Sequence, residues 1–540
     1  MCMTVFKWGE YMTVKETIAS GKAFLGIEFG STRVKAVLTD ESSLPIASGA
    51  YDWENSYKDG IWYYPLEQIH EALRGCYASL CRDVQEKYGT VPTAFAAMGV
   101  SGMMHGYMAF DKEGRLLVPF RTWRNTITAQ AAQELSQTLG FNIPQRWSVA
   151  HLYQAVLNGE EHIPQVETVN TLAGYIFCML TGKRSVGIGE ASGIFPVDGK
   201  DYNAEYIAKT EALLSAKGFD KKLRDVFPAV SMAGEKGAFL TEAGALFLDP
   251  SGTLKAGVPV CPPEGDAGTG MTATNSVRER TGNISAGTSI FSMAVLDRPL
   301  ENMYPEIDVV ATPDGKPVAM VHCNNCCSEL DSWVNMFGEF AALTGHPMDK
   351  SELYTTLYKN ALTAPADCSG AAACNFLSGE PVVGVDEGRP MYMRLPDSHP
   401  TLGAFFRAEL CASFAALKLG NDLLFRKEKI TADRFNGHGG LFKVEGVASQ
   451  LMADALGVPV AVMTTAGEGG AWGMALLARY MTDGEEMSLA DWLDIKVFAD
   501  SKVTVSSPDP AGSEGFEKYM ENYTALLRCQ RLNGKENQDA

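Results

Sequence analysis

The sequence has no surplus of basic residues and no long apolar run. Lys and Arg together number 46 against 65 Asp and Glu, which gives a formal net charge of -19. Such a chain has little positive charge to neutralise phosphate backbones, which disfavours nucleic acid as the main partner. No run approaches the ~18 apolar residues of a membrane-spanning helix. We therefore expect a protein that binds neither nucleic acid nor membrane.

The N-terminal stretch lacks the apolar region of a secretory signal. It carries charges at Lys7, Glu10 and Lys15 where that region would lie. A cytoplasmic location is therefore expected. Met12 is an alternative start of translation, and the sequence leaves that choice open.

Cysteines are too sparse for a disulfide framework. Most of the 12, such as Cys178 and Cys411, lie in apolar contexts, which is typical of buried thiols in a reducing compartment. The exception is the run His322-Cys323-Asn324-Asn325-Cys326-Cys327. Because no second cysteine pair lies at zinc-site spacing, the pattern disfavours a metal site, and the role of the run stays open.

What the chain does contain is typical of a soluble globular protein. Hydrophobic residues make up 46% and charged residues 21% of its 540 residues. This length predicts about three or four domains, or two large lobes. We place the boundaries at 22–280, 281–485 and a C-terminal extension over 486–540.

Periodicity predicts alternating strands and helices in both halves. In the first half, strands are predicted at 24–29, 34–38, 46–51 and 94–100, helices at 66–87 and 129–139, and an α-rich insertion at 145–250. In the second half, strands are predicted at 283–285, 290–295 and 459–463, helices at 404–425 and 444–456, a glycine loop at 435–440, and a small-residue helix ending near 478. The tail is expected to pack on the body, with only 533–540 disordered.

Glycine turns between strands recur along the chain. Gly30-Ser31-Thr32 and Gly287-Thr288-Ser289 each lie between two strand-like runs, which indicates an ancient duplication. Backbone N–H groups of such turns can cradle phosphate oxygens. Between them, Pro262 to Gly270 places Asp266 at the exit of a strand, where a carboxylate can act as a base. The sequence therefore predicts a phosphate-handling cleft containing Asp266.

The motifs occur in an order that resembles the FGGY carbohydrate kinases, most nearly the xylulokinase-like and other pentulose kinases. The matching segments, over about residues 22–480, are Glu28 to Lys35 for D-x-G-T-[ST]-x-x-K, Ser101-Gly102-Met103-Met104-His105-Gly106 for S-G-Q-M-H-G, Trp123 to Asn125 for W-N-D, Glu264-Gly265-Asp266 for G-G-D, Ala286 to Ser289 for the second phosphate motif, Gly437 to Gly440 for the adenosine loop, and Glu468 to Gly473 for E-x-A-A-x-G-A.

The resemblance implies an α/β fold, namely a two-lobed actin-like ATPase built from duplicated ribonuclease H-like domains with a ligand cleft between the lobes. It implies ATP and Mg²⁺ as cofactors and phosphorylation of a hydroxyl of a small sugar. A ketopentose such as D-xylulose is the first choice, with L-ribulose or another ketose or polyol as alternatives. A homodimer is also an expectation.

The resemblance also assigns site residues. Asp266 is the general base and Glu28 holds Mg²⁺ through water. The substrate-binding residues are Met104, His105, Trp123, Asn125 and Asp266, and the nucleotide-binding residues are Gly30, Ser31, Thr32, Lys35, Gly287, Thr288, Ser289, Gly439 and Gly440. Simpler interpretations stay open: Asp266 as a helix cap, Lys35 turned to solvent, His105 as a structural residue, and Trp123 as core filling.

Four departures from the family pattern bear on metal placement, in the case of Glu28, and on the substrate, in the case of the other three. Glu28 stands in place of aspartate, Met103 in place of glutamine and Asn125 in place of aspartate, and Ala267 replaces a residue that is often polar. The last three leave fewer polar groups to recognise sugar hydroxyls. These three changes affect the expectation of which sugar is bound more than the expectation of phosphoryl transfer.

A different class also stays open, namely a non-catalytic actin-like protein that senses a sugar with bound nucleotide. Asp266 discriminates between the two, because a sensor has no need of a base there. A filament-forming protein or chaperone ATPase is disfavoured, because neither needs the sugar-contacting pair Met104-His105.

Overall fold

The computed structural model describes residues 12–463, 469–484 and 486–536, with side chains described as far as Arg531. It contains two α/β lobes, each built around one twisted mixed sheet. No helix in these ranges is long and apolar enough to cross a membrane. The two-lobed α/β architecture predicted from the sequence is confirmed.

The sheet of lobe 1 begins with an antiparallel meander and continues with parallel strands. Its strands are β1 (Phe24–Phe29), β2 (Arg33–Thr39), β3 (Pro45–Asp52), β4 (Ala97–Gly102), β5 (Ala238–Phe239), β6 (Pro259–Val260) and β7 (Glu264–Gly265). They lie in the order β3-β2-β1-β4-β6-β5, and β7 also pairs with β4. The pairs β1–β2 and β2–β3 are antiparallel, whereas β1–β4 and β4–β6 are parallel.

The sheet of lobe 2 repeats this arrangement. Its strands are β8 (Thr281–Ala286), β9 (Ile290–Val295), β10 (Asp308–Ala311), β11 (Pro317–Cys323), β12 (Arg434–His438), β13 (Val460–Met463) and β14 (Val503–Ser506). The order is β10-β11-β9-β8-β12-β13-β14. Apart from β10 in lobe 2 and β7 in lobe 1, the spatial strand order and the strand directions match between the lobes. The topology therefore contains the duplication that the two glycine turns indicated.

Helices cover both sheets and fill the connections. They are α1 (Val14–Ala19), α2 (Leu66–Tyr88), α3 (Ala129–Leu139), α4 (Ser148–Leu157), α5 (Leu172–Thr181), α6 (Ile188–Ala191), α7 (Ala204–Ser215), α8 (Leu223–Val226), α9 (Glu242–Leu248), α10 (Asp266–Ala273), α11 (Cys327–Leu343), α12 (Lys350–Ala361), α13 (Leu402–Asp422), α14 (Val447–Leu456), α15 (Gly469–Asp483), α16 (Leu489–Trp492) and α17 (Pro510–Glu536).

Short pieces complete the described chain. The 3₁₀ turns are Ile163–Gln165, Cys368–Gly370, Pro381–Val383 and Gly440–Lys443, and π-helical turns follow α13 at Leu423–Lys427 and α16 at Leu493–Val497. Small strand sets pair Ser56–Lys58 with Ile61–Tyr64 and Phe120–Arg121, Met108–Phe110 with Thr168–Asn170, Ser185–Gly187 with Ala229–Ser231, Val197–Asp198 with Asp201–Tyr202, and Ala371–Cys374 with Met391–Arg394.

Strand β1 lies in the middle of the sheet of lobe 1, and its alternate side chains enter the two opposite layers. Leu25, Ile27 and Phe29 are fully buried in one hydrophobic cluster. Each such burial contributes about 1.5–3 kcal/mol to folding. The other face carries Glu28 and approaches α15, where a Cβ atom on Gly26 would overlap the Ala471 carbonyl oxygen. Helix α15 lies between β13 and β14 of lobe 2 in the chain yet packs on β1 and α10 of lobe 1, so it joins the two lobes.

Several predicted boundaries differ from the structure. Strand β4 begins at Ala97 and continues through Gly102, because parallel pairing with β1 includes the start of the sugar motif. Gly437 lies within β12 rather than in a loop, since it pairs with Ile284. The region 145–250 contains short strands as well as helices.

The C-terminal tail extends lobe 2. Strand β14 pairs with β13, and helix α17 packs on α14. Tyr519 and Tyr523 on this helix are fully buried, as the packing prediction required. Helix α17 continues to Glu536, so the predicted disorder was wrong for 533–536, and 537–540 lie outside the described residues.

Candidate active site

The first glycine turn is anchored by aromatic side chains of lobe 1. The Gly30 carbonyl accepts a hydrogen bond from Trp53 Nε1 at 2.7 Å, and the Ser31 carbonyl accepts one from the Tyr64 hydroxyl at 2.5 Å. The two anchoring rings are stacked with centroids 4.1 Å apart. No described residue accepts a hydrogen bond from the Ser31 or Thr32 N–H group. These donors are available to an anionic ligand.

The second glycine turn is anchored by backbone groups instead. The Thr288 carbonyl accepts from the Cys326 N–H, and the Gly287 carbonyl accepts from the Cys327 N–H, both at 3.0 Å. Both donors lie at the start of α11. The N–H groups of Thr288 and Ser289 have no acceptor in the described part of the chain. This turn therefore also offers free donors.

The cysteine-rich run has a structural role here. Its last residues supply the two N–H groups that hold the second turn, and Cys323 and Cys326 are buried. Within the described ranges, no group of three His, Cys, Asp or Glu side chains is arranged to hold a metal. The run 322–327, whose role the sequence left open, therefore anchors the second turn through its backbone.

The predicted adenosine loop adjoins this second turn. Gly439 has a φ of 99°, and a Cβ atom there would overlap the Ala286 carbonyl oxygen. Only glycine fits both the backbone conformation and the close approach. Gly439 and Gly440 are exposed beside the end of β8. Glu468, assigned to the late helix motif, lies outside the described residues.

A small cavity of about 100 Å³ opens beside Thr288. Its polar lining includes Asn324, Asn325, Asn375 and Ser378. The amide oxygen of Asn375 is buried and has no hydrogen-bond partner among the described residues. The sequence reasoning missed these residues. The only local signal was the Asn pair that follows β11.

Asp266 is the first residue of α10 and faces the cleft with an exposed side chain. Its Oδ1 accepts hydrogen bonds from the N–H groups of Met104 at 3.3 Å and Ala267 at 3.0 Å. The N-cap is Gly265, so Asp266 is not the capping residue itself, although its Oδ1 accepts from one N–H group of the first turn. Protein surrounds the cleft closely enough that desolvation raises the pKa of Asp266 to about 6.

Glu28 lies beside Asp266 on the α15 side of β1. Burial, and then the negative charge of Asp266, raise the pKa of Glu28 to about 7, while Lys35 opposes the shift. Lys35 is directly opposite Glu28 across the β1–β2 pair, so their side chains share one face. Lys35 is exposed, and its charge acts on Glu28 without an ion pair between the two side chains. A Cβ atom on Gly470 would overlap Glu28 Oε1, so the carboxylate reaches the start of α15.

This donor set fits Mg²⁺. Magnesium commonly takes one or two carboxylates, with waters and substrate phosphates completing its octahedron. The negative charge of Asp266 makes ionisation of Glu28 more costly, and a divalent cation between two such carboxylates would stabilise their charged forms. Glu28 and Asp266 supply that pair.

His105 is held in one orientation. Its backbone takes a positive φ of 71°, its ring stacks on Trp147 at 6.2 Å, and its Nδ1 lies 3.3 Å from the Gly193 carbonyl oxygen. Burial and the charge of Arg146 hold the pKa of His105 well below its usual value. The ring is therefore neutral, and because a carbonyl only accepts, Nδ1 carries the proton. Nε2 is left as an acceptor.

Of the remaining predicted sugar contacts, Trp123 is exposed, whereas Met104 and Asn125 are buried. Trp123 is 38% exposed and donates from Nε1 to Ser31 Oγ at 3.2 Å, so its interpretation as core filling is wrong. Met104 is buried, with its side chain against Gly265. Asn125 is also buried, and its amide nitrogen donates to the carbonyls of Trp62 and Thr122. Asn125 therefore supports the loop that carries Trp123 and has no free N–H for a substrate.

Two buried carboxyls below Asp266 were not anticipated. Glu264 occupies the first position of the G-G-D motif, and its Oε2 accepts from the Glu190 N–H at 3.0 Å. Burial raises the pKa of Glu264 to about 8 and that of Glu190 well above its usual value. Gly187 and Gly189 leave the room that the Glu264 side chain occupies. The spacing of Gly187 and Gly189 was the only signal of this contact in the sequence.

The structure thus groups Asp266, Glu28, Lys35 and the first turn in lobe 1, and the second turn with Gly439 and Gly440 in lobe 2. Two lobes of duplicated topology with a glycine turn in each define the actin-like, ribonuclease H-like ATPase class. The chain belongs to the FGGY family of carbohydrate kinases. The family model of the N-terminal domain matches residues 23–270, and the family model of the C-terminal domain matches residues 282–482. The protein is accordingly an ATP-dependent sugar kinase.

Named relatives are similar along nearly their whole length. Xylulose kinase of Haemophilus influenzae is 22% identical over 523 residues, covering 93% of this chain and 99% of the relative. The structure of gluconate kinase from Lactobacillus acidophilus matches with a TM-score of 0.74 at 18% identity, covering 94% of this chain and 98% of that one. Xylulose kinase from Rhodospirillum rubrum gives 0.73 at 19%, covering 94% and 99%. At these identities the structural likeness establishes the shared fold.

Proposed function

We propose that the protein transfers the γ-phosphoryl group of ATP to a hydroxyl of a small neutral sugar, with Asp266 as the general base. The observation that carries the proposal is the state of Asp266. Its Oδ1 is held by two backbone N–H groups, while no described residue donates to Oδ2. With a pKa of about 6, the carboxylate is ionised at neutral pH. A fixed, ionised and cleft-facing carboxylate is suited to accept a proton.

The chemistry follows from these groups. The acceptor hydroxyl gives its proton to Asp266 Oδ2 as its oxygen forms a bond to the γ-phosphorus, and the bond to the β–γ bridging oxygen breaks to release ADP. The free N–H groups of Ser31, Thr32, Thr288 and Ser289 are placed to bind phosphate oxygens from both lobes. Glu28 and Asp266 would hold Mg²⁺, directly or through water, and the ion would offset the phosphate charge.

For the acceptor, we propose a ketopentose such as D-xylulose. The support is the similarity to the Haemophilus influenzae xylulose kinase along both chains. The neutral His105 offers Nε2 to a sugar hydroxyl, and Trp123 presents an exposed ring beside the first turn. Met103 is buried in the core of lobe 1 and Asn125 is bonded to backbone, so neither adds a polar contact. L-Ribulose and other ketoses or polyols are the alternatives.

Coupled ADP release across pentuloses, hexuloses and polyols tests this function. We expect ATP turnover that requires both Mg²⁺ and one sugar class. A thermal-shift screen with a nucleotide analogue present measures binding on the same panel. Sugar binding without turnover by any sugar would instead support the sensor function. The cytoplasmic location, the homodimer and the boundary at residue 280 remain predictions from the sequence.

A further inference from the structure

His322 of lobe 2 lies on the face of the sheet that packs toward lobe 1, together with Phe291 and Met320. Its side chain on β11 keeps contact with solvent although protein surrounds it closely, whereas its neighbours Val321 and Cys323 are buried on the opposite face. It pairs with Phe291 of β9, and the two rings are nearly parallel, at 24° with centroids 6.4 Å apart. The rings of His322 and Phe291 together form a flat aromatic surface that includes the imidazole nitrogens. Neither the glycine turns nor the carboxylates described above use it.

An ion pair between the lobes brings this surface close to the sugar motif. Arg146 of lobe 1 pairs with Asp308 of β10, and Asn142 also donates to Asp308 Oδ1 at 3.1 Å. Asp308 lies opposite Met320 in the β10–β11 pair. Because side chains two residues apart on a strand share a face, Asp308 and His322 lie on the same side of the sheet. The Arg146 side chain therefore lies against the His322 face.

Arg146 also lies next to His105. Its carbonyl accepts a hydrogen bond from the Gly106 N–H at 3.0 Å. Its positive charge lowers the pKa of both His105 and His322, the latter to about 4, with burial as the larger cause in each. Arg146 therefore lies near both imidazoles, one from each lobe.

We propose that His322 is a specificity-determining residue that contacts the acceptor sugar from lobe 2, opposite His105. This inference rests on the proposed function and adds a second wall to its acceptor site. A neutral imidazole can exchange hydrogen bonds with a sugar hydroxyl, and the Phe291 ring beside it can pack on the apolar face of the carbon chain. The Arg146 charge is already neutralised by Asp308. The site therefore suits an uncharged polyhydroxyl acceptor and disfavours a sugar acid, whose carboxylate would find no free cation there.

The test compares His322→Ala and His322→Gln with His346→Ala, a change of an exposed histidine on the surface of lobe 2. The sugar that best stimulates ADP release is titrated against each protein at saturating ATP, and ATP is then titrated at saturating sugar. We expect His322→Ala to raise the sugar KM about 5- to 20-fold, as for one lost hydrogen bond with its packing. The ATP KM should stay within about twofold. His322→Gln should recover part of the loss, and His346→Ala should match the unchanged protein.

Two further outcomes separate this inference from the proposed function. If the unchanged protein transfers phosphate to no sugar, the proposed function fails and the inference fails with it. If the unchanged protein is active but His322→Ala leaves the sugar KM and the ranking of sugars of different chain length unaltered, only the inference is overturned. A rise in both the sugar and the ATP KM would also overturn it, because that result indicates a general effect on lobe 2. Preference for gluconate over neutral sugars would contradict the uncharged-acceptor part.

Discussion

The two lobes have the same strand order but stabilise their glycine turns by different means. In lobe 1 the turn carbonyls are bonded mainly by side chains, from Trp53 and Tyr64. In lobe 2 they are bonded by the backbone N–H groups that begin α11. A duplicated scaffold therefore preserved the exposed N–H donors, while the anchoring of each turn differs. Side-chain anchoring makes the lobe 1 turn more sensitive to substitution.

The lobes also differ in charge at equivalent positions. Glu28, next to last in β1, pairs across the parallel sheet with Ser101. The corresponding residue of β8 is Ser285, which pairs with His438. Burial lowers the pKa of His438 to about 4, so that position is neutral. The carboxylates Glu28 and Asp266, which we propose for metal binding and proton transfer, thus lie in lobe 1, and the corresponding positions of β8 and β12 in lobe 2 carry no charge.

The largest effect should come from removing the base of lobe 1. We expect Asp266→Asn to lower kcat by roughly 10²- to 10⁴-fold, because asparagine keeps the size and most hydrogen bonding but cannot accept the proton. Sugar and ATP KM should change much less. Steady-state kinetics, with the melting temperature as a control for folding, checks this. Normal turnover by a destabilised variant would refute a catalytic role.

The next effect concerns the turn region of lobe 2. Gly439→Ala forces an L-residue into a positive φ, which costs about 1–2 kcal/mol, and its Cβ overlaps the Ala286 carbonyl oxygen. We expect the ATP KM to rise about tenfold while the sugar KM is unchanged. Gly440→Ala is the matched control, because a Cβ there lies 4.0 Å from that same oxygen. Equal effects of the two substitutions would show that the close approach of β12 to β8 does not shape the nucleotide site.

Glu28→Gln tests the charge difference between the lobes. The substitution removes the second carboxylate, so we expect the Mg²⁺ concentration for half-maximal rate to rise about tenfold, with a smaller fall in kcat. Titration of Mg²⁺ at fixed ATP measures this. Unchanged metal dependence would make Glu28 a structural strand-end residue.

The smallest effect should come from the lobe 1 anchor. Trp53→Phe retains an aromatic ring but deletes the hydrogen bond to the Gly30 carbonyl, which removes about 0.5–1.5 kcal/mol of stability. We expect a small rise in ATP KM with kcat nearly unchanged. Urea unfolding and ATP titration check the two effects. An unaltered ATP KM would mean that the turn keeps its shape without this anchor.

Elements with strong local patterns were predicted well from the sequence. Strand 24–29 and helix 129–139 were predicted with the bounds that the structure has, because apolar periodicity and the flanking glycines define them locally. Helix α2 ends at Tyr88, one residue beyond its predicted end, because Gly89 follows it with a φ of 63°. Both glycine turns lie between strands and Asp266 directly follows a strand, as the sequence predicted.

Features that depend on distant residues were not predictable in this way. Glu264 is accommodated only because Gly187 and Gly189, far from it in sequence, leave space for its side chain. Asn125 matched a motif position, yet backbone groups of the Trp62 strand occupy its amide. His322 was noted only as part of a cysteine-rich run, since its position opposite Arg146 requires the packing of one lobe on the other. Such contacts are tertiary and leave no periodic signal.

The pH dependence of kcat/KM tests the central claim, that an ionised Asp266 accepts the sugar proton, most directly. The base must be unprotonated to act, so activity is present above its pKa and is lost as the pH falls through it. We expect activity to fall on the acid side in two steps, one near pH 7 from Glu28 and one at about pH 6 from Asp266. The residual activity of Asp266→Asn should lack the step at about pH 6. An acid limb that persists unchanged in Asp266→Asn would contradict the assignment of Asp266 as the base.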